Sequence, residues 1–427
     1  MLLALELSLK EKIEKQYEEW MACCPNKKSE IDAWIKSADE DEAVCMKYLY
    51  AYMHPCDIVS YDVEVIASYV KATLDMYANV PYAKQVPAEL FFTYVLCVRV
   101  NNEDLDKSRE WIYRQLVDRV KDKKTMVEAA LEVNYWCYEK ATYIPSDDRT
   151  LAPFGMCNSA RGRCGEESTL AVSAMRSVGI PARQCYVPRW AHCDDNHAWV
   201  EVWADGDWHY LGACEPEPVL DKGWFTAAAS RAMIIHSRMF SDYVENEEIV
   251  THEGLTTVCN ELPRYADTQT FSIKVVDQGK PVPGVTLRVE LLNYSEFFPI
   301  STLISDDNGE ASITLGLGDL HIHAVKDGKF VTRLVDSRKE SSITIDFSAA
   351  SSTQTEELQG EEYDVVPPKD NMKFAVRLTD EQKARQQQRF DAAAEHHFSD
   401  IQKSKQLSQA CKRFAERALQ SLARALL

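Results

Sequence analysis

Hydrophobic and polar positions change rhythm three times along the chain. Residues 1 to about 144 read as helices. Thr125-Met126-Val127-Glu128 is a capping box, in which the threonine hydroxyl and the glutamate carboxylate each satisfy an orphan backbone N–H. Behind it Ala129, Leu131, Val133, Trp136 and Cys137 continue an apolar, helix-compatible stretch. Similar stretches cover Val63–Met76 and Trp111–Val120, and Pro87-Ala88-Glu89 opens another helix with proline at its first position. From about 145 to 262 the pattern turns to loop, helix and then strands. Residues 268–347 are short alternating runs cut by Asp277-Gln278-Gly279, Asp307-Asn308-Gly309 and Asp327-Gly328, as in a small β-sandwich. The fold class expected is α+β. Its parts are a helical region at 1–124, a core at 125–262, a sandwich at 268–347, a linker at 348–370 and a helical tail at 371–427.

The linker reading rests on composition. It is rich in Ser, Thr and Glu, with six acids (Glu356, Glu357, Glu361, Glu362, Asp364, Asp370) against Lys369. Beyond it, Thr379-Asp380-Glu381-Gln382 caps a helix whose apolar positions end at Leu419, Leu422 and Leu426. At 427 residues the chain exceeds a single core and suits about two to four domains. It carries 48 basic and 67 acidic side chains, a net charge of −19, which makes nucleic acid a poor partner. No apolar run reaches the ~18 residues of a membrane span, so no membrane partner is expected. The start, Met1 to Glu6, lacks the basic and apolar regions of a secretory signal. Thirteen cysteines without a CxxC pair then read as reduced thiols in the cytoplasm. No cofactor is implied.

The chemistry concentrates in Arg161-Gly162-Arg163-Cys164-Gly165-Glu166-Glu167-Ser168. The following residues form a helix with Leu170, Ala171, Ala174, Met175 and Val178 on one face, stopped by Gly179 and Pro181. Cys164 thus stands at a helix N-terminus, where the dipole and nearby arginines favour a thiolate and Glu166 and Glu167 oppose it. Alone, such a cysteine reads as a buried structural thiol. However, Arg183–Arg189 reads as a strand and His197–Trp203 as a second, with His197 and Trp199 on one face and Ala198, Val200 and Val202 on the other. Asp205-Gly206 turns the chain into Trp208–Leu211, and Glu215 follows. A cysteine facing a histidine on an adjacent strand, with a carboxylate on the next, is what thiol nucleophilic catalysis requires.

Gly162-Arg163-Cys164-Gly165-Glu166, Asn196-His197-Ala198-Trp199 and Trp208 through Cys214-Glu215 resemble the transglutaminase-like superfamily, with bacterial relatives and the peptide N-glycanase pattern nearest. The resemblance spans roughly residues 90–260. It implies a papain-like α+β core with Cys164 as nucleophile and His197 as base. Two departures stand out: the family's aspartate position falls on Gly212, and the paired CxxC motifs of the glycanases are absent. Glu215 is then the substitute third member, with Asp194 or Asp195 as alternatives. Asn158 could donate to an oxyanion, as papain's upstream glutamine does, against the simpler reading of a loop asparagine. Trp190, in the loop before His197, is the candidate substrate wall; most of the tryptophans here read as sheet core. Residues 223–233 read as helix packing under the site.

The run His192-Cys193-Asp194-Asp195-Asn196-His197 has metal-ligand residue types but no zinc spacing, and reads as a polar loop at the rim of the cleft. The 275–325 region resembles prealbumin-like sandwich modules called carboxypeptidase regulatory-like, which implies a binding or spacer role; His321 and His323 there read as solvent-facing. The expected activity is acyl transfer on protein or peptide amides through a Cys164 thioester, with hydrolysis favoured over cross-linking. The alternative is an inactive binding or scaffold protein.

Overall fold

The computed structural model describes residues 5–145, 150–244, 246–350, 364–371 and 376–393. The N-terminal part contains α1 (Leu7–Met21), α2 (Pro25–Ile35), α3 (Glu40–Ala51), α4 (Val63–Asn79), α5 (Ser108–Val120) and α6 (Met126–Lys140). Thr125 caps α6 by accepting the Glu128 N–H at 3.1 Å. The return bond differs from a strict capping box, since Glu128 accepts the Lys124 N–H at 2.9 Å instead. Pro87 stands at the cap of a short helical turn, Ala88–Phe91, rather than inside it. That turn runs into a wide-pitched one, Phe92–Leu96. The carbonyls freed there are satisfied by buried Arg109, whose guanidinium donates to the oxygens of Val95, Leu96 and Cys97 at 2.8–3.0 Å.

Two further helices, α7 (Pro153–Ser159) and α8 (Cys164–Ser177), precede a sheet of six antiparallel strands. These are β1 (Ala182–Val187), β2 (His197–Ala204), β3 (Asp207–Leu211), β4 (His236–Met239), β5 (Glu248–Glu253) and β6 (Thr256–Asn260), in spatial order β3-β2-β1-β4-β6-β5. The end of α8 shows why the sequence stops there. Gly179 is left-handed at φ 81°, and the N–H of Ile180 reaches the Met175 carbonyl at 3.0 Å. The β2–β3 hairpin turns on Asp205 and Gly206, both at positive φ. Leu170, Ala171, Ala174 and Met175 of α8 join Val200, Val202 and Ala204 of β2 in one apolar core. That core extends without a break to Ile13 in α1, so the N-terminal helices and the sheet stabilise each other.

Residues 268–346 form the sandwich. One sheet pairs β7 (Thr268–Asp277) with β10 (Glu310–Gly316) and, in parallel, with β13 (Ser342–Asp346). The other runs β9-β8-β11-β12, with β8 at Thr286–Asn293, β9 at Glu296–Ile304, β11 at Asp319–Lys326 and β12 at Lys329–Asp336. Phe271, Ile273, Leu287, Val289 and Ile322 fill the space between the sheets. The turns at Gln278-Gly279 and Asp327-Gly328 take positive φ, and so does Tyr294-Ser295, which carries no glycine signal. His321 is bonded through Nδ1 to Glu290 at 2.8 Å and stacked on Phe297. Met233, Val250 and Val258 from the core side enter the sandwich's apolar cluster, and Asn260 Nδ2 donates to the Thr314 carbonyl at 2.7 Å. The two bodies are therefore docked rather than tethered.

Of the expected linker, 351–363 lies outside the described residues. Residues 364–371 lie along the surface: Val366 exchanges hydrogen bonds with Asp319, and Arg231 donates to the Pro368 carbonyl. Thr379 and Gln382 cap the helix at 380–393 reciprocally. It docks on α6 through Arg389, bonded to Glu132 at 2.8 Å, and through Phe390 against Tyr138. The remainder of the tail, with Leu419, Leu422 and Leu426, lies outside the described residues.

Candidate active site

Cys164 is the first residue of α8, and the turn that presents it is pinned from both sides. Buried Glu166 accepts the Arg163 N–H at 3.0 Å and the Leu151 N–H at 3.1 Å. From the neighbouring strand, Gln184 Nε2 donates to the Gly165 carbonyl at 3.0 Å. His197 begins β2, so the sheet carries it to the same place, and both residues line one cleft of about 620 Å³. The cleft sits where the core meets the sandwich, with β9 forming its far wall.

Burial pushes the Cys164 thiol above its ordinary range; the amides of Ala198 and Gly165 and the charge of Arg163 act against this without overcoming it. Burial likewise pushes His197 down to about 4. Its ring is packed among Trp224 at 4.7 Å, Phe225 at 4.9 Å and Trp199 at 5.9 Å. Near neutral pH the resting pair is thus an uncharged thiol and an uncharged imidazole. The His197 imidazole makes no hydrogen bond to another described residue, and its Nε2 is buried without a partner. Ionised Glu167 adds to the upward push on the thiol, but its own carboxyl is shifted as well. Burial, then the charges of Glu215 and Glu166, raise its carboxyl to about 9, so it is protonated.

The expected third member is placed differently. Glu215 Oε2 accepts the Trp224 Nε1–H at 2.8 Å and makes no bond to His197. A Cβ on Gly212 would lie only 2.9 Å from that same oxygen. The glutamate therefore folds back over Gly212 and fills the space where a side chain at 212 would grow. It reaches the imidazole only through the indole of Trp224. The alternatives do not reach it either: Asp194 accepts the Tyr294 N–H and Asp195 the Asn196 N–H.

Two further expectations need correction. Trp190 is 3% exposed, packed with Cys185, Val187 and Trp199, and absent from the cleft lining. Its apolar ring is better buried than wetted, because the docked sandwich covers the loop that carries it: Asn293 donates to the Trp190 carbonyl at 2.9 Å. The exposed aromatic against His197 is Trp224, at 64% exposure, in the segment expected to pack under the site. Asn158 points to solvent on α7 and does not line the cleft. Amides at the start of α8 are the available oxyanion donors. Among the described residues, no group of three or more His, Cys, Asp or Glu side chains could hold a metal ion.

Sequence reasoning missed Gln184, His236, Arg238 and Trp224. Only Trp224 carried a local signal, as an aromatic in a Gly-Trp-Phe turn just after the β3 hairpin.

Residues 114–213 match the family model described as the transglutaminase-like superfamily. No curated protein matches. One similar solved structure is "The Crystal Structure of a Putative Cysteine Protease from Cytophaga hutchinsonii", 16% identical with a TM-score of 0.26. The similarity covers 43% of this chain and 66% of that one, just under two thirds of its length, and assigns no residue a role. The family match supports cysteine-based catalysis in general terms. The segment that is similar to the transglutaminase-like superfamily, residues 114–213, thus carries both Cys164 and His197.

Proposed function

We propose that the chain is a cysteine hydrolase of peptide or protein amides, acting through a thioester at Cys164. The observation that carries this reading is the convergence of Cys164 and His197 on one cleft, with the Ala198 and Gly165 amides directed at the sulfur. Substrate entering the cleft displaces water and brings a carbonyl carbon to Sγ. His197 takes the thiol proton as the S–C bond forms. Negative charge moves to the carbonyl oxygen, and amides at the helix start stabilise it. The imidazolium returns the proton to the departing nitrogen as the C–N bond breaks, leaving an acyl-thioester. Water, deprotonated by the neutral imidazole, then attacks the thioester and releases the acid. Exposed Asn196 and Glu253 at the rim leave the cleft open to water, which favours hydrolysis over transfer to an amine.

The test is incubation with a denatured protein mixture and a fluorescent primary amine, for wild type and Cys164→Ala. New protein N-termini or side-chain carboxylates that depend on Cys164, without amine incorporation, are expected. Incorporation of the amine in place of water overturns hydrolysis. Identical products from Cys164→Ala overturn thiol catalysis, and no products from either protein favour the binding-protein reading.

A further inference from the structure

The cleft extends beyond Cys164 into a region that the hydrolytic mechanism does not use. Two free sheet edges face each other there: β5, last in the core sheet, and β9, last in its sandwich sheet. Residues 298–302 of β9 all line the cleft, so it is the strand's edge, not one face, that is presented. An extended peptide can pair with such an edge through its main chain.

The charge of this region is opposite to that of the protein. Arg163, Arg189 and Arg238 line the cleft against the single carboxylate of Glu253, in a chain of net charge −19. Neither Arg189 nor Arg238 has a carboxylate partner among the described residues. Both are held by aromatic rings instead. Arg189 lies 3.8 Å from the Phe298 centroid, and Arg238 lies 5.3 Å from that of Tyr186 and 3.4 Å from the Asn101 Oδ1. Buried polar atoms without partners also gather here. His236 Nε2 and Ser301 Oγ belong to side chains 6% exposed, and Arg189 Nε is buried too. The Tyr186 hydroxyl contacts His236 Nδ1 at 3.4 Å; with that nitrogen accepting, Nε2 carries the proton and is a donor. Unpaired buried donors in a native cleft need a partner from whatever fills it.

We infer that Arg189, Arg238 and His236 form a carboxylate-binding subsite, and that the cleft takes extended peptides bearing an acidic side chain. As a statement of substrate class this rests on the proposed peptide hydrolysis, but the subsite itself is measurable without catalysis. Guanidinium groups already fixed by stacking lose little freedom on pairing with a carboxylate, which is the advantage of arginine over lysine at such a place.

The experiment uses full-length Cys164→Ala and two fluorescein-labelled peptides that differ only in a central Glu or Gln, read by anisotropy. The Glu peptide is expected to bind about tenfold tighter or more. Arg238→Gln and Arg189→Gln should each bring the ratio towards one, while Arg238→Lys, which keeps the charge, should retain part of it. Equal binding of the two peptides, or no binding of either, overturns the subsite. Release of new protein N-termini by the otherwise unaltered chain, compared with Cys164→Ala, reads the hydrolytic proposal separately. A Glu preference without Cys164-dependent cleavage keeps the subsite and removes the hydrolase; Cys164-dependent cleavage without the preference does the reverse.

Discussion

Restoring an aspartate at position 212 should fail unless Glu215 is removed. Gly212 has no positive φ, so its backbone accepts any residue, and the obstacle is occupied space. An added Cβ would lie 2.9 Å from Glu215 Oε2 and 3.1 Å from Glu215 Cβ, closer than unstrained contacts allow. The new carboxylate would also join Glu215, whose carboxyl burial already raises, and Glu167, raised to about 9. Overpacking of this kind costs about 1–3 kcal/mol. Glu215→Ala alone should cost less, about 0.5–1.5 kcal/mol, for the lost bond from Trp224. In the Gly212→Asp/Glu215→Ala double variant the space is vacant, so most of the overpacking cost should vanish. Urea unfolding at pH 7, followed by tryptophan fluorescence, should give a favourable coupling of about 1–2 kcal/mol between the two changes. If Gly212→Asp destabilises equally with and without Glu215, the carboxylate does not occupy that space and the account of the missing aspartate is wrong.

Three other outcomes follow from the same geometry. Cys164 alkylation by iodoacetamide should be slow at pH 6–7 and climb through pH 9: a raised thiol pKa means thiolate appears only as pH rises, and a histidine near 4 supplies no imidazolium at neutrality. A flat, fast rate between pH 5 and 8 would demonstrate an ion pair instead. Trp224→Ala should leave stability within about 1 kcal/mol, since the indole is mostly exposed, yet raise the His197 pKa from about 4 towards the ordinary range as its cover is removed; an unchanged imidazole titration by NMR would show that other residues desolvate it. Arg183→Met should cost about 3–5 kcal/mol in urea unfolding, because the fully buried guanidinium is the shared partner of Glu201, Glu247 and Glu261; a loss below about 1 kcal/mol would mean that those carboxylates are satisfied without it.

Local chemistry was legible in the sequence because its rules act over a few residues. Gly179 ended α8, Asp205-Gly206 closed the β2–β3 hairpin, and alternation put His197 and Trp199 on one face of β2. The Cys and His motifs proposed Cys164 and His197 from their immediate neighbours, and the fold places both on one cleft. The third member was not legible. Whether the carboxylate after β3 meets the imidazole or the indole depends on how the loop folds back over Gly212, and that follows from packing against Trp224. Trp190 is buried and Trp224 exposed for a similar reason: the sandwich, starting about 80 residues after Trp190, covers one loop and leaves the other open. The basic cleft was the least visible feature, because Arg189, Arg238 and Ser301 are separated by scores of residues and meet only when the two bodies dock. The sequence by itself determined the helices, the turns and the candidate Cys164–His197 pair. Only tertiary packing decided the charge states of that pair, the partner of Glu215 and the shape of the cleft, because burial and long-range contact set all three.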